Sequence, residues 1–370
     1  MVKKQKNMAN VKRATNFLPN YSLLKYKILS NSPKLKMKFP ESMPQIGEHA
    51  FDLGEIDGVH ISDTLFCPIQ GTLNAHYESV KTEILAWAEK CGFFKEAKDK
   101  FKFEKADFSL LGSWCYPDLS RQDLVLSVKW LTFLFYHDDR FDNKKSKESK
   151  DISVIKKTND DLLKILQGNT SVDYLKDNPL GISAKEIADE ISARSYDAEF
   201  FIERVRQYFD ATVMEAELRE NPRKQTVEQF LPIRQYVGAV YTTFEMGLIA
   251  SNIHLTKSVR GELKLIEIAR HANNCVCEAN DIYSLRKEMA QGSTNLIFIK
   301  HETDKLSWED SVGYVKNLHN DDVKDMLEIE RTLPDNLTRI SNVIKYIQIM
   351  KNWVIGNIMW SQTTGRYNKK

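Results

Sequence analysis

Cysteine is sparse and unpaired in this chain. The five residues, Cys67, Cys91, Cys115, Cys275 and Cys277, are odd in number and form no CxxC pair, which argues against a disulfide framework or a zinc site. A reducing compartment such as the cytoplasm fits. Glycine and proline are also few, fifteen and ten in 370 residues, too little punctuation for an all-β or repeat architecture. No stretch reaches the roughly 18 consecutive apolar residues of a membrane span, and no apolar region marks a secretion signal. Acidic residues are missing from positions 1–40, which hold ten Lys or Arg, whereas the remainder carries 43 basic against 51 acidic residues. The basic arm reads first as a tail, with organelle targeting or a nucleic-acid contact as alternatives. The net-acidic remainder suggests no nucleic-acid partner.

What is present is a helical pattern. Apolar residues make up 42% of the chain, and from about residue 73 they recur at helical spacing in one segment after another. Residues 121–137 are apolar on nearly all sides, the mark of a helix inside a bundle. Long helices are also expected over 196–218, 226–253, 261–290 and 337–362, with charge-rich loops at 143–160 and 301–308 and no strand series. An all-α fold in one large helical domain follows.

The buried segment at 121–137 runs into "YHDDRFDNKK". Asp138 and Asp142, four apart, share one helix face, with Asp139 beside them. Such carboxylates suit Mg2+, which takes oxygen ligands and a substrate phosphate; an acidic helix end in solvent explains them equally well. A second stretch, "NDIYSLRKE", places Asn280, Ser284 and Glu288 on one stripe at intervals of four. Asn and Ser compete with the helical backbone for hydrogen bonds, and the neighbouring sequence is weakly charged. The stripe reads as a second metal site, against the plainer reading of a polar face in water.

Together these motifs resemble those of the class I terpene synthases, DDxxD and (N/D)Dxx(S/T)xxxE. The resemblance is to the microbial type, and in length to soft-coral (octocoral) terpene cyclases; it covers about residues 36–367. It implies a single α-helical bundle over 36–370 with a central cavity, preceded by a basic extension over 1–35. It also implies a carbon–oxygen lyase that ionises and cyclises an acyclic prenyl diphosphate, geranylgeranyl diphosphate first and farnesyl diphosphate next, releasing pyrophosphate.

The implied cofactor is a set of three Mg2+ ions, with Mn2+ as an alternative, held by Asp138, Asp139, Asp142, Asn280, Ser284 and Glu288. Arg234, which lies 46 residues before Asn280, matches the family's diphosphate sensor. Gly238 matches its helix-break effector, and Lys287, Arg366 and Tyr367 match its diphosphate ligands. The implied catalytic set is Asp138, Arg234, Gly238, Asn280, Ser284 and Glu288. Phe135, Trp360 and Tyr116 are expected to line the pocket, where aromatic faces attract a carbocation. Family members are often dimers, so a homodimer is the implied assembly. Two competing readings remain: an HD-type metal phosphohydrolase using His137 and Asp138, and a non-catalytic helical relative that binds diphosphate.

Overall fold

Local capping and apolar periodicity build the elements in the computed structural model, which describes residues 47–141, 151–169, 177–194, 196–219 and 225–367. The basic arm, the expected domain boundary at residue 36, and Asp142 lie outside these residues. A hairpin of β1 (Glu48–Ile56) and β2 (Val59–Phe66) comes first. The helices are α1 (Tyr77–Lys90), α2 (Ala97–Ala106), α3 (Phe108–Cys115), α4 (Arg121–Phe141), α5 (Ile152–Leu166), α6 (Pro179–Ser192) and α7 (Glu199–Arg219). They continue as α8 (Val227–Val237), α9 (Val240–Ala250), α10 (Lys257–Arg260), α11 (Leu263–Gln291), α12 (Leu296–Asp304), α13 (Trp308–Arg331), α14 (Asp335–Thr338) and α15 (Ser341–Thr363). No helix among the described residues is long and apolar enough to cross a membrane.

Helix α4 sits at the centre because it has no polar face along its middle. Leu124, Val125, Val128 and Leu131 join one apolar cluster, while Leu126, Trp130, Phe133 and Leu134 join a second on the opposite side. Burying both sides leaves only the two ends of α4 near water, Arg121 and Gln122 at its start and Asp138 and Asp139 at its finish. Trp130 donates its indole N–H to Thr242 Oγ1 at 3.0 Å, tying α4 to α9. Helix α11 packs on α13 and α15, and α15 packs on α3, so α4, α11 and α15 bring their C-terminal ends to one place.

Three expectations need correction. The hairpin is absent from the sequence pattern: β1 has a bulge between Asp52 and Gly54, which breaks the two-residue alternation after Phe51 and Leu53, and β2 buries only Ile61 and Leu65. Its turn is Asp57-Gly58, both with positive φ, as a two-residue hairpin requires. The span 226–253 is two helices rather than one, interrupted at Gly238 and Ala239. The charge-rich loops are shorter than expected. Asp151 caps α5 by accepting from the N–H groups of Ser153 and Val154, and Ser307 caps α13 through Asp310 N–H, each satisfying a donor at the helix start.

Two buried histidines make the fold acid-sensitive. Burial lowers His137 and His319 from 6.5 to about 4, so both are neutral in the folded chain. A depressed folded value means the stabilisation is complete above pH 6.5 and is lost as pH falls towards 4, by about 3 kcal/mol for each group. Melting curves between pH 7 and pH 4 should show this decline. The His137→Phe variant, which cannot charge at that position, should show a smaller decline over the same span.

Candidate active site

The end of α4 is held by charge from the chain's C-terminal segment. Arg366 donates through both terminal nitrogens to Asp139, at 2.9 and 2.6 Å, and lies 3.9 Å from Asp138. Its guanidinium stands 4.9 Å from the centre of the Phe135 ring, a cation-π distance. Arg366 Nε is buried without a partner among the described residues. Lys287 approaches Asp139 at 3.7 Å. Burial works to raise the Asp139 carboxyl, but Arg366 and Lys287 outweigh it and hold the group down at about 2.

Helix α11 supplies the opposite side. Asn280 Oδ1 accepts from Arg234 at 3.0 Å, and its Nδ2 donates to the Tyr367 hydroxyl at 2.7 Å. Ser284 Oγ donates to the Asn280 carbonyl at 2.6 Å. Arg234 also donates to Asp281 Oδ2 at 3.0 Å and to the Cys277 carbonyl at 3.1 Å. Burial pulls the Arg234 pKa down, and Asp281 beside it more than compensates, so the guanidinium stays charged. Asp281, which the sequence shows only as the neighbour of Asn280, therefore anchors Arg234.

Gly238 is not glycine for the sake of backbone freedom. Its φ is −68°, an ordinary helical value, and the left-handed conformation at the break falls on Ala239, with φ 57°. Space decides instead. A Cβ on Gly238 would lie 2.6 Å from Cys277 Sγ and 2.9 Å from Arg234 Nη1.

Beneath the charged rim is a cavity with about 950 Å3 of open space counted out to its mouth, walled by Leu111, Leu131, Leu134, Phe135, Phe230 and Trp353. Asp138, Arg234, Gly238, Asn280, Lys287, Glu288, Arg366 and Tyr367 also border it, so most of the site residues expected from the sequence come together. Two of the expected aromatics do not border it. Trp360 is fully buried, donates to the carbonyls of Ala106 and Asp107 at 2.8 and 3.1 Å, and packs behind Phe135 and Tyr367. Tyr116 donates its hydroxyl to the Thr243 carbonyl at 2.7 Å and packs edge-on behind Trp353. In both cases a backbone carbonyl takes up the buried polar tip, that of Tyr116 belonging to the wall residue Thr243.

His137 does not face the rim. Its Nε2 bonds Asn159 Oδ1 and its Nδ1 bonds the Tyr208 hydroxyl, each at 2.8 Å. Because Asn159 Nδ2 donates elsewhere, to the Phe209 carbonyl and Thr212, Asn159 Oδ1 is an acceptor and the proton belongs on Nε2. Neither nitrogen has a lone pair left for a metal, and the HD-type phosphohydrolase reading loses its ligand.

One residue of the site is not evident from the sequence. Asn295, in the turn after α11, donates Nδ2 to the Asp281 carbonyl at 2.8 Å and to Glu288 Oε2 at 2.7 Å, while its Oδ1 caps α12 by accepting from Ile297 N–H. The cap is legible as Asn ahead of an apolar run; the grip on Glu288 is not, since it depends on how the turn folds back. The Asn295→Asp variant keeps the cap oxygen and loses the donor. It should bind Mg2+ with pyrophosphate about tenfold more weakly by calorimetry, as removal of a residue that orients a ligand does, and lose stability because its buried carboxylate faces Glu288. The Asn295→Ala variant should lose about 1 kcal/mol of stability as well.

Comparison with known proteins decides the family. A model described as terpene synthase family 2, C-terminal metal binding, matches residues 129–325, more than half of the chain. The chain belongs to this family. This terpene synthase is 25% identical over 308 residues to germacrene A synthase of Nostoc punctiforme, covering 82% of this chain and 94% of that enzyme. It is 26% identical over 307 residues to (+)-T-muurolol synthase of Roseiflexus castenholzii, covering 82% and 93% respectively. In fold it resembles α-eudesmol synthase, with a TM-score of 0.72 at 16% identity over 81% of this chain and 98% of that one. Germacradien-4-ol synthase from Streptomyces citricolor gives 0.70 at 18% identity, over 81% and 98%. The terpene synthase is thus a lyase of the microbial class I type with the expected all-α fold.

Proposed function

We propose that this terpene synthase draws an acyclic allylic prenyl diphosphate into the cavity tail first, ionises it at the rim and cyclises the carbocation, releasing pyrophosphate. The observation that carries the reading is the convergence on Asn280. One carboxamide holds Arg234 at 3.0 Å and Tyr367 at 2.7 Å, residues 46 and 87 positions away.

The donor set fits magnesium. Asp138, Asp139, Asn280, Ser284 and Glu288 offer only hard oxygen atoms, the ligands Mg2+ prefers over thiolate or imidazole; Asp142 completes the motif from outside the described residues. Three Mg2+ ions are proposed, with Mn2+ as the substitute. When bound, they supply positive charge that makes pyrophosphate a better leaving group. Arg234, Lys287, Arg366 and Tyr367 donate hydrogen bonds to the diphosphate oxygens, where negative charge develops. The buried, unpartnered Nε of Arg366 is a donor that such an oxygen would satisfy. The Gly238 carbonyl, at the break on the cavity wall, is the group we assign to assisting ionisation.

The apolar wall then keeps water from the allylic cation, and Phe135 offers it a ring face. Farnesyl diphosphate is placed first among substrates, reversing the order expected from the sequence, because the muurolol and 4-epi-cubebol synthases similar to this chain are named for cyclising it. Geranylgeranyl diphosphate, the substrate expected first from the sequence resemblance, is the second reading.

Separate incubations with geranyl, farnesyl, geranylgeranyl and geranylfarnesyl diphosphates test this, comparing kcat/KM for cyclic product. The highest value with farnesyl diphosphate is expected. The highest value with the C20 substrate would overturn the chain-length assignment alone, and binding of Mg2+ with pyrophosphate but no turnover of any substrate would favour the non-catalytic relative.

A further inference from the structure

Two carboxamides, Asn357 on the cavity wall and Asn273 buried one turn behind the wall residues Val276 and Cys277, have no part in this mechanism. Asn273 precedes Asn280 by seven residues on α11 and so lies on the same helix face, about 10 Å further from the rim. Its side chain is fully buried, and neither Oδ1 nor Nδ2 meets a partner among the described residues. One turn nearer the rim, Val276 and Cys277 belong to the cavity wall. Asn357 of α15, only 4% exposed, borders the same cavity and donates Nδ2 to the Val276 carbonyl at 3.3 Å. Its Oδ1 accepts no hydrogen bond among the described residues. The two carboxamides thus flank Val276 from two helices.

An unmade hydrogen bond at a buried polar group costs about 1–3 kcal/mol, and an isoprenoid tail has no donor or acceptor with which to recover it. Water does, and a buried water needs roughly two to four polar partners. Asn273 offers a donor and an acceptor, and Asn357 Oδ1 a further acceptor.

We infer that Asn273 and Asn357 hold a water molecule at the inner end of the cavity and that this water ends the reaction, making the product a cyclic terpene alcohol. The inference rests on the proposed cyclase reaction. Pyrophosphate leaves with the electron pair of the carbon–oxygen bond, and after cyclisation a lone pair of the water oxygen forms the new carbon–oxygen bond. The oxonium proton is held by the carboxamide oxygen of Asn357 or Asn273 and goes to the departed pyrophosphate, the strongest base the reaction itself supplies, when the site opens to water for product release. No oxidant or reductant enters. The rim and the water stand at opposite ends of the site, so the tail can react along its length before it meets the nucleophile.

The test is product formation in water enriched in the heavy oxygen isotope, with pyrophosphate release measured in the same vials. The expected main product of the wild-type enzyme is a cyclic alcohol two mass units heavier than in ordinary water. The Asn273→Leu and Asn357→Leu variants should each lower the ratio of cyclic alcohol to hydrocarbon about tenfold, the partition shift expected when the water loses a hydrogen bond. Asn357→Leu alters the wall rather than the packed interior, and the labelling of the wild-type product needs no variant. Pyrophosphate release with unlabelled cyclic hydrocarbon, or an alcohol fraction unchanged in both variants, would overturn the inference while leaving the cyclase reading intact. Absence of pyrophosphate release would overturn both.

Discussion

The Asn280→Ala variant forms cyclic product about a thousandfold more slowly than the wild type, the scale of loss when a preorganised polar group at the site of developing charge is removed. Three functions go at once. The substitution deletes a proposed metal ligand, frees Arg234 from a 3.0 Å hydrogen bond and frees Tyr367 from one of 2.7 Å. Stability should fall by only about 1–3 kcal/mol, the cost of unsatisfied buried partners, because Arg234 keeps Asp281 and the Cys277 carbonyl. Thermal shift with Mg2+ and pyrophosphate separates the two effects: the wild type should gain melting temperature and the variant should not. Turnover within tenfold of wild type would remove Asn280 from the machinery.

The Gly238→Ala variant is expected to lose about a hundredfold in turnover although the new methyl group brings no charge or hydrogen bond. Its Cβ would fall 2.6 Å from Cys277 Sγ and 2.9 Å from Arg234 Nη1, and something must move. Cys277 is fixed on a buried helix, whereas Arg234 Nη1 ends a long side chain, so the guanidinium yields and leaves its hydrogen bonds to Asn280 and Asp281. A small displacement of a charge-stabilising donor costs about this much. Overpacking should cost about 1–3 kcal/mol in stability. The Gly238→Ala, Cys277→Ala double variant removes the sulfur and should recover much of the stability without recovering the rate. Recovery of both would place the fault in the packing against Cys277 rather than in Arg234.

Legibility differed from residue to residue for physical reasons. Helix α11 and the stripe of Asn280, Ser284 and Glu288 can be read directly, because helical periodicity fixes which side chains share a face whatever packs against them. The inner position of α4 follows likewise from its lack of a polar side. Tertiary partners cannot be read this way. Nothing in the sequence says that Asn295 folds back on Glu288, that Asp281 anchors Arg234, or that both nitrogens of His137 are taken by Tyr208 and Asn159. Trp360 and Tyr116 mislead because an aromatic beside a pocket and an aromatic behind one have the same sequence signature. Only the packing tells them apart: Trp360 bonds the Ala106 and Asp107 carbonyls, and Tyr116 stands behind Trp353 with its hydroxyl on the Thr243 carbonyl. The hairpin is hidden by its bulge, whereas the helix break at Gly238 is legible only through the family match, because apolar residues run on across it.

The central claim is that a charged rim ionises a prenyl diphosphate above a cavity that shapes the cation. Incubation with farnesyl diphosphate, with Mg2+ and with chelator in its place, measures it directly when pyrophosphate and extracted product are quantified together. The account predicts one equivalent of pyrophosphate for each cyclic terpenoid formed, and neither in chelator. Pyrophosphate released with only linear alcohol, or at the same rate without the metal, would contradict it.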